Sequence, residues 1–252
     1  MSDEKPVDVY DSQGEAYSRA FSVFLAHTDQ KTQATAWLEQ EVNRLTSREV
    51  FIDAGAGTGK LTRWLGPRFR HTIAIEPNPS LREELRKSCP GTELLPVSIA
   101  EAHPSAAADF VFCSHVFYYI DRSLWAENLR SLASWLRPGG VLAVVLQNHE
   151  TDCMRMLRHF TGQQFDLGIL NRAFANEGHG SFDVRTDTVE AHVQTDSFET
   201  AYTISEFMLN LLPLSRPPRR AELEGYVRDH FQRGTSYRFS CHQDFLRLQR
   251  KA

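Results

Sequence analysis

Short apolar runs alternate along this chain with segments whose apolar residues recur at helical spacing. The runs at 50–52, 72–75, 109–113 and 141–146 predict strands, since parallel strands covered on both faces are apolar throughout. Leu61, Trp64 and Leu65 follow the first run at helical spacing, and residues 124–136 precede the last run with the same period. This alternation of strands and helices predicts a doubly wound α/β sheet.

The same patterns continue on both sides of this region. Helices are predicted at 16–25, 32–45, 152–160, 205–212 and 221–231, with an apolar stretch at 165–174 and a loop at 176–180. Strand-like alternation occurs at 184–193 and 198–203, and the run 236–248 predicts a last, antiparallel strand. We expect a single domain over 1–252, with a helical lid at 1–46, a ligand-binding core at 47–147, and further helices and final antiparallel strands at 148–252.

The composition argues against several classes of function. The chain has 252 residues, with 28 Lys and Arg against 32 Asp and Glu and a net charge of −4. Basic residues cluster only around 216–220, so no extended grip on nucleic acid is expected. No apolar run approaches the roughly 18 residues that span a membrane. The polar N-terminus lacks a signal peptide and the four cysteines are scattered, so we expect a cytoplasmic protein.

A glycine-rich turn directly follows the first predicted strand. Asp53 ends that strand, and glycines occupy positions 55, 57 and 59 before the helix begins. Such a turn lets a ligand approach bare backbone. A dinucleotide-binding turn would need glycine in place of Lys60, and a phosphate-binding loop would need glycine in place of Ala54. The remaining pattern, D-x-G-x-G-x-G, resembles motif I of the class I S-adenosylmethionine (SAM) methyltransferases.

Two further segments carry the same resemblance. Glu76 ends the second strand about 20 residues after the turn, where a carboxylate can accept hydrogen bonds from both hydroxyls of a ribose. The segment LRPGG at Leu136–Gly140 resembles the turn before the fifth strand of these enzymes. The resemblance implies a Rossmann-like, doubly wound seven-stranded sheet with an N-terminal helical lid. It also implies an enzyme with SAM as cofactor, S-adenosylhomocysteine as product, and methyl transfer by in-line displacement.

The resemblance assigns the cofactor contacts to the strand ends. The backbone of the turn approaches SAM, and Glu76 binds the ribose. Asp53 either orients the turn or reaches the methionine amine, and Tyr17 either closes over the methionine carboxylate or packs within its helix. At the tip of the third strand, the adenine amine pairs with Ser98, with Glu101 or with backbone. The expected cofactor-binding residues are Tyr17, Asp53, Gly55, Ala56, Gly57, Glu76, Pro77, Ser98, Ile99 and Ser114.

The acceptor side is expected after the fourth and fifth strands. His115 follows the fourth strand, where it serves as a base, binds the acceptor, or contacts SAM through its backbone. Phe117 and Tyr118 offer aromatic walls for a cationic acceptor, and His149 directly follows the fifth strand. The Asn/Asp-Pro-Pro-aromatic motif of nucleic-acid amino-methyltransferases is missing, and Asp121 is the only acid nearby. We therefore expect no metal ion and no nucleic-acid acceptor.

Four segments resemble one family more narrowly, the histamine N-methyltransferases. They are Ala16–His27 (AYSRAFSVFLAH), Ile75–Pro77 (IEP), Phe117–Ile120 (FYYI) and Phe239–Phe245 (FSCHQDF). The resemblance extends over most of the chain. It implies methyl transfer to a nitrogen of a small amine- or imidazole-containing molecule.

The acceptor residues of that family are not matched one for one. Its ammonium-binding glutamate falls at Asp29 or Gln30, its glutamine falls at His115, and its last-strand asparagine falls at Cys241 or His242. We therefore expect an acceptor other than histamine. Two alternatives stay open: O-methylation of a hydroxyl or carboxylate, with a histidine as base for the hydroxyl, and a SAM-binding subunit without catalysis. The predicted catalytic residues are His115 and His242, and the predicted substrate contacts are Asp29, Phe117, Tyr118, His149 and Cys241.

Overall fold

The computed structural model describes residues 5–11, 14–176 and 180–251, so the predicted loop at 176–180 lies partly outside the described residues. The helices are α1 (Glu15–His27), α2 (Gln30–Arg44), α3 (Lys60–Leu65), α4 (Pro79–Ser88), α5 (Trp125–Ser134), α6 (Asp152–Thr161), α7 (Leu167–Asn176), α8 (Phe198–Leu209) and α9 (Arg220–Phe231). The strands are β1 (Val50–Ala54), β2 (His71–Ile75), β3 (Glu93–Leu95), β4 (Ala108–Ser114), β5 (Leu136–Gln147), β6 (Phe182–Val189), β7 (His192–Thr195), β8 (Gln232–Arg233), β9 (Ser236–Ser240) and β10 (Gln243–Arg250). Short 3₁₀ helices occur at Gly66–Arg68, Ile99–Glu101, Phe117–Tyr119 and Arg122–Leu124.

The chain divides into two compact units. The first comprises Met1–Trp37, Gln147–Asp166 and Thr188–Gln243, and the second comprises Leu38–Leu146, Leu167–Asp187 and Asp244–Ala252. In the first unit, α8 packs on α1, α6 and α9, beside a three-stranded sheet of order β7-β9-β8. The second unit contains most of a seven-stranded sheet. No helix within the described ranges is long and apolar enough to cross a membrane.

The seven-stranded sheet has the order β3-β2-β1-β4-β5-β10-β6, which confirms the predicted doubly wound fold. Its first five strands pair in parallel. Because β1 pairs with β2 on one side and with β4 on the other, the winding reverses between β1 and β4. The connections that leave these two strands diverge there, and ligands of such sheets bind at that point. The glycine turn and Ser114–His115 therefore lie at the edge where a ligand is expected.

Four predicted strands differ in the structure. The strand predicted at 141–146 begins earlier, so the turn predicted at Leu136–Gly140 lies within β5, and the strand predicted at 184–193 is divided between β6 and β7. Residues 198–203 begin α8, because the Ser197 hydroxyl accepts the Thr200 N–H at 3.2 Å and caps a helix there. The predicted last strand at 236–248 is divided, with β9 in the three-stranded sheet and β10 in the seven-stranded sheet. His242 lies in the break, and its Nδ1 is 2.9 Å from the Ala191 nitrogen.

A buried ionic cluster joins α2, β6 and β10 within the second unit. The Glu41 side chain is 1% exposed, and its carboxylate pairs with Arg247 at 2.5 Å and with Arg185 at 2.7 Å. Arg44, one turn further along α2, pairs with the same carboxylate. Burial acts to raise the pKa of Glu41, but the hydrogen bond and charge of Arg247, followed by the other two arginines, outweigh burial and lower it. The carboxylate is therefore held ionised at the junction of these three elements.

Candidate active site

The backbone of the turn after β1 is anchored to β2. The Gly55 and Ala56 N–H groups donate to the Ile75 carbonyl at 2.8 and 3.1 Å, and the Gly57 N–H donates to Glu76 Oε2 at 2.8 Å. A phosphate-binding loop directs such amides at the ligand instead. The turn is therefore built for a ligand other than a phosphate, in agreement with the elimination made from the sequence.

Two glycines of the turn have different reasons to lack a side chain. Both have left-handed backbones, with φ of +85° at Gly55 and +55° at Gly57. A Cβ on Gly55 would lie 2.2 Å from Val116 Cγ2, so the residue after His115 packs against the turn. A Cβ on Gly57 would meet no atom within 4 Å. Gly57 thus presents bare backbone to open space, as the close approach of a ligand requires.

Glu76 is buried and oriented by backbone. It is 6% exposed, with Oε2 accepting the Gly57 N–H and Oε1 accepting the Asn78 N–H, each at 2.8 Å. An ionised carboxylate has about four lone-pair sites, so each oxygen can accept one further hydrogen bond. Glu76 and the open face of Gly57 therefore fit the ribose and the close backbone contact that SAM needs.

Asp53 lies inside the sheet and holds the turn. Its Oδ2 accepts the Thr62 hydroxyl of α3 at 2.6 Å, which ties the end of β1 to the first turn of the helix. Burial, reinforced by the charge of Glu76 and opposed by the Thr62 hydrogen bond, raises the pKa of Asp53 to about 7. Of the two roles expected for Asp53, orientation of the turn is the one its contacts support. Thr62 was not identified from the sequence, although its position in the first helical turn after the glycines is a usable signal.

The tip after β3 is a short 3₁₀ helix capped by its own side chains. The Ser98 hydroxyl and N–H both donate to Glu101 Oε2, at 2.7 and 3.2 Å. Ile99 is 6% exposed, so its side chain belongs to the interior. Ser98 and Glu101 therefore already pair with each other at the position where an adenine partner was expected.

His115 occupies an unusual backbone conformation at the end of β4. Its φ of +59° is the only positive value at a non-glycine residue in the described part of the chain. The His115 N–H donates to the Val145 carbonyl at 2.8 Å, and the ring stacks on Tyr118 with centroids 5.7 Å apart. Burial lowers the pKa of His115 to about 4, so the imidazole is neutral and weakly basic at pH 7. Strained residues of this kind concentrate at functional sites.

The aromatic residues after His115 divide between core and surface. Phe117 is fully buried and packs edge-to-face on Trp125, with ring centroids 5.5 Å apart. Tyr118 is 7% exposed and Tyr119 is 66% exposed. Phe117 is therefore part of the hydrophobic core in this structure, where it has no exposed surface for contact with an acceptor, contrary to the prediction.

The remaining candidates belong to the first unit. Tyr17 of α1 packs on Phe207 of α8, with ring centroids 5.2 Å apart. Asp29 Oδ1 accepts the His192 N–H at 2.8 Å, and the rings of His192 and His242 lie 5.0 Å apart. Asp29 and His242 are thus gathered around the start of β7.

Cys241 adjoins the Asp29 group but is enclosed. Its thiol lies 3.3 Å from the Thr28 hydroxyl, and its carbonyl accepts the Gln30 amide at 2.7 Å. The side chain is fully buried, and burial raises the pKa of the thiol to about 12. Cys241 has no exposed surface for the predicted contact with a substrate and instead fixes the segment that carries His242.

His149 lies between two carboxylates. Its Nε2 is 3.1 Å from Glu150 Oε1, and its Nδ1 is 3.5 Å from Asp166 Oδ1. Neither carboxylate was identified from the sequence. Asp166 is 17 residues from His149 along the chain, and no motif connects the two. Within the described ranges, no three His, Cys, Asp or Glu side chains form a group that could hold a metal ion.

The structure therefore separates the candidates by unit. One set belongs to the second unit and comprises Asp53, Gly55, Ala56, Gly57, Glu76, Pro77, Ser98, Ile99, Ser114, His115, Phe117 and Tyr118. The other belongs to the first unit and comprises Tyr17, Asp29, His149, Cys241 and His242.

This fold and turn define a class of protein, and comparison with known families identifies it. A family model described as a methyltransferase domain matches residues 25–190, more than half of the chain. The chain belongs to this family. By fold and family it is a member of the class I SAM-dependent methyltransferases, a class whose cofactor is SAM.

Two curated relatives are methyltransferases. An uncharacterized methyltransferase of Mycobacterium tuberculosis (strain ATCC 25618 / H37Rv) is 35% identical over 96 residues, which are 37% of this chain and 38% of the relative. Trans-aconitate 2-methyltransferase of Acidovorax ebreus (strain TPSY) is 27% identical over 139 residues, which are 53% of this chain and 52% of the relative. The matches thus span between two-fifths and about half of the length of these relatives.

One solved structure extends the likeness to nearly the whole chain. The N-methyltransferase NodS from Bradyrhizobium japonicum WM9, in complex with S-adenosylhomocysteine, superposes with a TM-score of 0.51 at 12% identity. The superposition covers 95% of this chain and 100% of that chain. At this identity the likeness concerns the fold alone. The narrower resemblance to the histamine N-methyltransferases stays a hypothesis.

Proposed function

We propose that this chain transfers the methyl group of SAM to a nitrogen of a small amine- or imidazole-containing molecule. The observation that carries the proposal is the position of the His115 ring at the end of β4, where it stacks on Tyr118 and where burial lowers its pKa to about 4. A side chain this weakly basic is a poor proton acceptor at neutral pH. A hydroxyl acceptor would need such a base, whereas an amine or imidazole nitrogen with a free lone pair attacks without one. In this proposal His115 is a neutral group at the end of β4 that does not act as a base.

The charge of Asp29 supports a cationic acceptor. Its Oδ1 accepts the His192 N–H at 2.8 Å, and the carboxylate can pair through its other oxygen with an ammonium group. The ammonium-binding glutamate of the histamine N-methyltransferases falls at this position or the next. In this proposal Asp29 binds the cationic part of the acceptor and His242 lies beside it.

The cofactor side has separate tasks. When bound, SAM would supply a methyl group on a positively charged sulfur: the acceptor nitrogen bonds to the methyl carbon in line as the carbon–sulfur bond breaks, S-adenosylhomocysteine leaves, and the methylated nitrogen gives up any excess proton to water. Glu76 accepts the ribose hydroxyls, the open backbone at Gly57 allows close approach, and Asp53 with Thr62 holds the turn in place. These residues position the donor and exclude water, which is most of what this reaction requires of a protein.

A second candidate is methylation of a carboxylate. The relative that acts on trans-aconitate favours it, and a carboxylate also attacks without a base. Such an acceptor would be repelled by Asp29, so the two candidates predict opposite effects of neutralising this residue.

The test is S-adenosylhomocysteine formation from SAM with matched panels of imidazoles, amines, carboxylic acids and phenols, beside a control without acceptor. We expect turnover with imidazoles or amines, and a KM raised about tenfold in Asp29→Asn with little change in SAM affinity. Turnover confined to carboxylic acids, with KM lowered in Asp29→Asn, would support the second candidate. SAM binding without turnover on any panel would indicate a non-catalytic SAM-binding subunit.

A further inference from the structure

A cavity lies along the outer face of α9, within the first unit. Its volume is about 620 Å³, and it is bounded by α9, the end of α6 and the segment before α9. Small-molecule sites have volumes of this order. None of the residues that line it belongs to the glycine turn or to the predicted acceptor contacts. The cavity is therefore separate from the site described above.

Aromatic rings form one wall of this cavity. Tyr226 is at the centre, with ring centroids 5.1 Å from His159, 5.4 Å from Phe160 and 4.1 Å from His230. Burial raises the pKa of Tyr226, so its hydroxyl stays protonated and can donate a hydrogen bond. Such a cluster offers flat faces and edges on which another ring can stack.

The floor of the cavity contains a glycine that the fold does not need. Gly225 lies inside α9, where glycine destabilises a helix relative to alanine. A Cβ added there would meet no atom within 4 Å, so packing does not exclude a larger residue. A side chain at this position would instead occupy the space beside Tyr226. Gly225 therefore leaves open the space that a larger residue would fill, at some cost to the stability of the helix.

The charged groups around the cavity include one cation and one anion that are not used within the fold. Among the described residues, the side chains of Arg216 and Asp229 have no hydrogen bond or ion pair, although both residues line the cavity. Glu222 also lines it, but its carboxylate pairs with Arg219 at 2.9 Å and is neutralised. The available pair is therefore one guanidinium and one carboxylate, beside the rings.

We propose that this cavity is an accessory binding site for a small aromatic zwitterion, a molecule with a ring, a carboxylate and an ammonium group. Arg216 binds the carboxylate, Asp229 binds the ammonium, and the ring stacks on Tyr226 above Gly225. The aromatic amino acids are the simplest members of this class. The site goes beyond methyl transfer, and its occupancy does not depend on SAM.

The proposal is tested by titrating the full chain, without SAM, with three probes that share one ring. L-Tryptophan carries both charges, indole-3-propionate lacks the amine, and tryptamine lacks the carboxylate. We expect tryptophan to bind about tenfold more tightly than either analogue. Arg216→Gln should weaken tryptophan and indole-3-propionate about tenfold and leave tryptamine unchanged. Asp229→Asn should weaken tryptophan and tryptamine and leave indole-3-propionate unchanged.

Two further variants separate the site from general damage. Gly225→Leu fills the floor with a residue that favours a helix, so it should abolish binding of all three probes without lowering the melting temperature. Arg228→Gln removes an arginine from the same helix that stacks on Phe198 and does not line the cavity, so binding should be unchanged. The proposal is wrong if tryptophan fails to bind at millimolar concentrations, if the three probes bind equally, or if Gly225→Leu still binds. Since SAM is absent throughout, none of these results bears on methyl transfer.

Discussion

Asp53 shows how one buried carboxyl group can impose a pH dependence on the stability of the fold. Its pKa in the folded chain is about 7, against an ordinary value of about 3.9 in an unfolded chain. Between these values the folded chain keeps a proton that the unfolded chain releases. The contribution of Asp53 to the free energy of unfolding therefore falls as the pH rises from about 4 to about 7, and levels off above that.

Asp53→Asn should remove this dependence. The amide oxygen can still accept the Thr62 hydroxyl, but the side chain no longer titrates. We expect the difference in free energy of unfolding between wild type and variant to change by about 3 kcal/mol across this range, with the wild type losing stability relative to the variant as the pH rises, as measured by denaturant unfolding at several pH values. Asp183→Asn, which changes a surface carboxylate paired with Lys251, is the matched control and should keep the wild-type profile. Equal slopes in wild type and Asp53→Asn would contradict the raised pKa.

His115 allows the strain of a left-handed backbone to be measured directly. Alanine and glycine at 115 both remove the imidazole, but only glycine adopts a φ of +59° without strain. We expect His115→Gly to be more stable than His115→Ala by about 1 kcal/mol, after allowing for the greater freedom of glycine in the unfolded chain. Denaturant unfolding of the two variants tests this. The reverse order would mean that the conformation costs little.

At the scale of the element, the turn from β1 to α3 contains one glycine packed against Val116, Gly55, and one glycine that faces open space, Gly57. Gly57→Ala should fold normally, with a loss of about 1 kcal/mol for its left-handed backbone. Its methyl group would enter the open space, so SAM affinity should fall about tenfold or more.

Gly55→Ala should instead cost about 3 kcal/mol, because its Cβ would lie 2.2 Å from Val116 Cγ2. Calorimetric SAM titration and denaturant unfolding separate the effects; unchanged affinity in Gly57→Ala would exclude Gly57 from the cofactor site.

The strands and helices of the βα region could be predicted because their patterns are local. An apolar strand, a glycine turn and a helix are each specified by consecutive residues, so β1, β2 and β4 were located correctly, and β5 was found but begins five residues earlier than predicted, at Leu136. Residues 198–203 alternate like a strand, but the Ser197 cap begins a helix there, and most residues from 201 to 209 are buried in α8. The break between β9 and β10 arises because β9 pairs in the three-stranded sheet and β10 in the seven-stranded sheet. Such pairing cannot be predicted from consecutive residues.

Whole-molecule relations limit what could be predicted of the site. Gly55, Gly57 and Glu76 could be found because the ligand side of a doubly wound sheet follows from strand order. The contacts of Asp53 with Thr62 and of His149 with Asp166 could not be predicted, because they depend on the directions of the side chains in the folded chain. The low pKa of His115 arises from burial of its ring, and the burial of a single side chain cannot be read from the sequence.

The Glu41 cluster is expected to contribute strongly to the stability of the second unit. Glu41→Gln would leave Arg247, which is 11% exposed, without its buried counter-charge, at a cost of about 3 kcal/mol. Because the pKa of Glu41 is lowered, its contribution is present above its ordinary pKa and is lost as the pH falls through the folded pKa. Urea unfolding near neutral and acid pH measures both effects.

A matched control lies on the same helix. Glu39 pairs with Arg68 at 3.1 Å on the surface of the protein, and Glu39→Gln should change stability by less than about 1 kcal/mol. Equal losses in Glu39→Gln and Glu41→Gln would show that burial of the cluster adds nothing.

The strand order has a consequence for the timing of synthesis. A ribosome releases β1 to β5 first, and these strands can pair as they emerge, since their partners are near in sequence. β6 emerges next, but its neighbour in the sheet is β10, which is made later. Until residues 243–250 leave the ribosome, β5 keeps an open edge and β6 has no place in the sheet. During that interval the nascent chain exposes hydrogen-bonding strand edges, the state in which chaperones bind and aggregation begins.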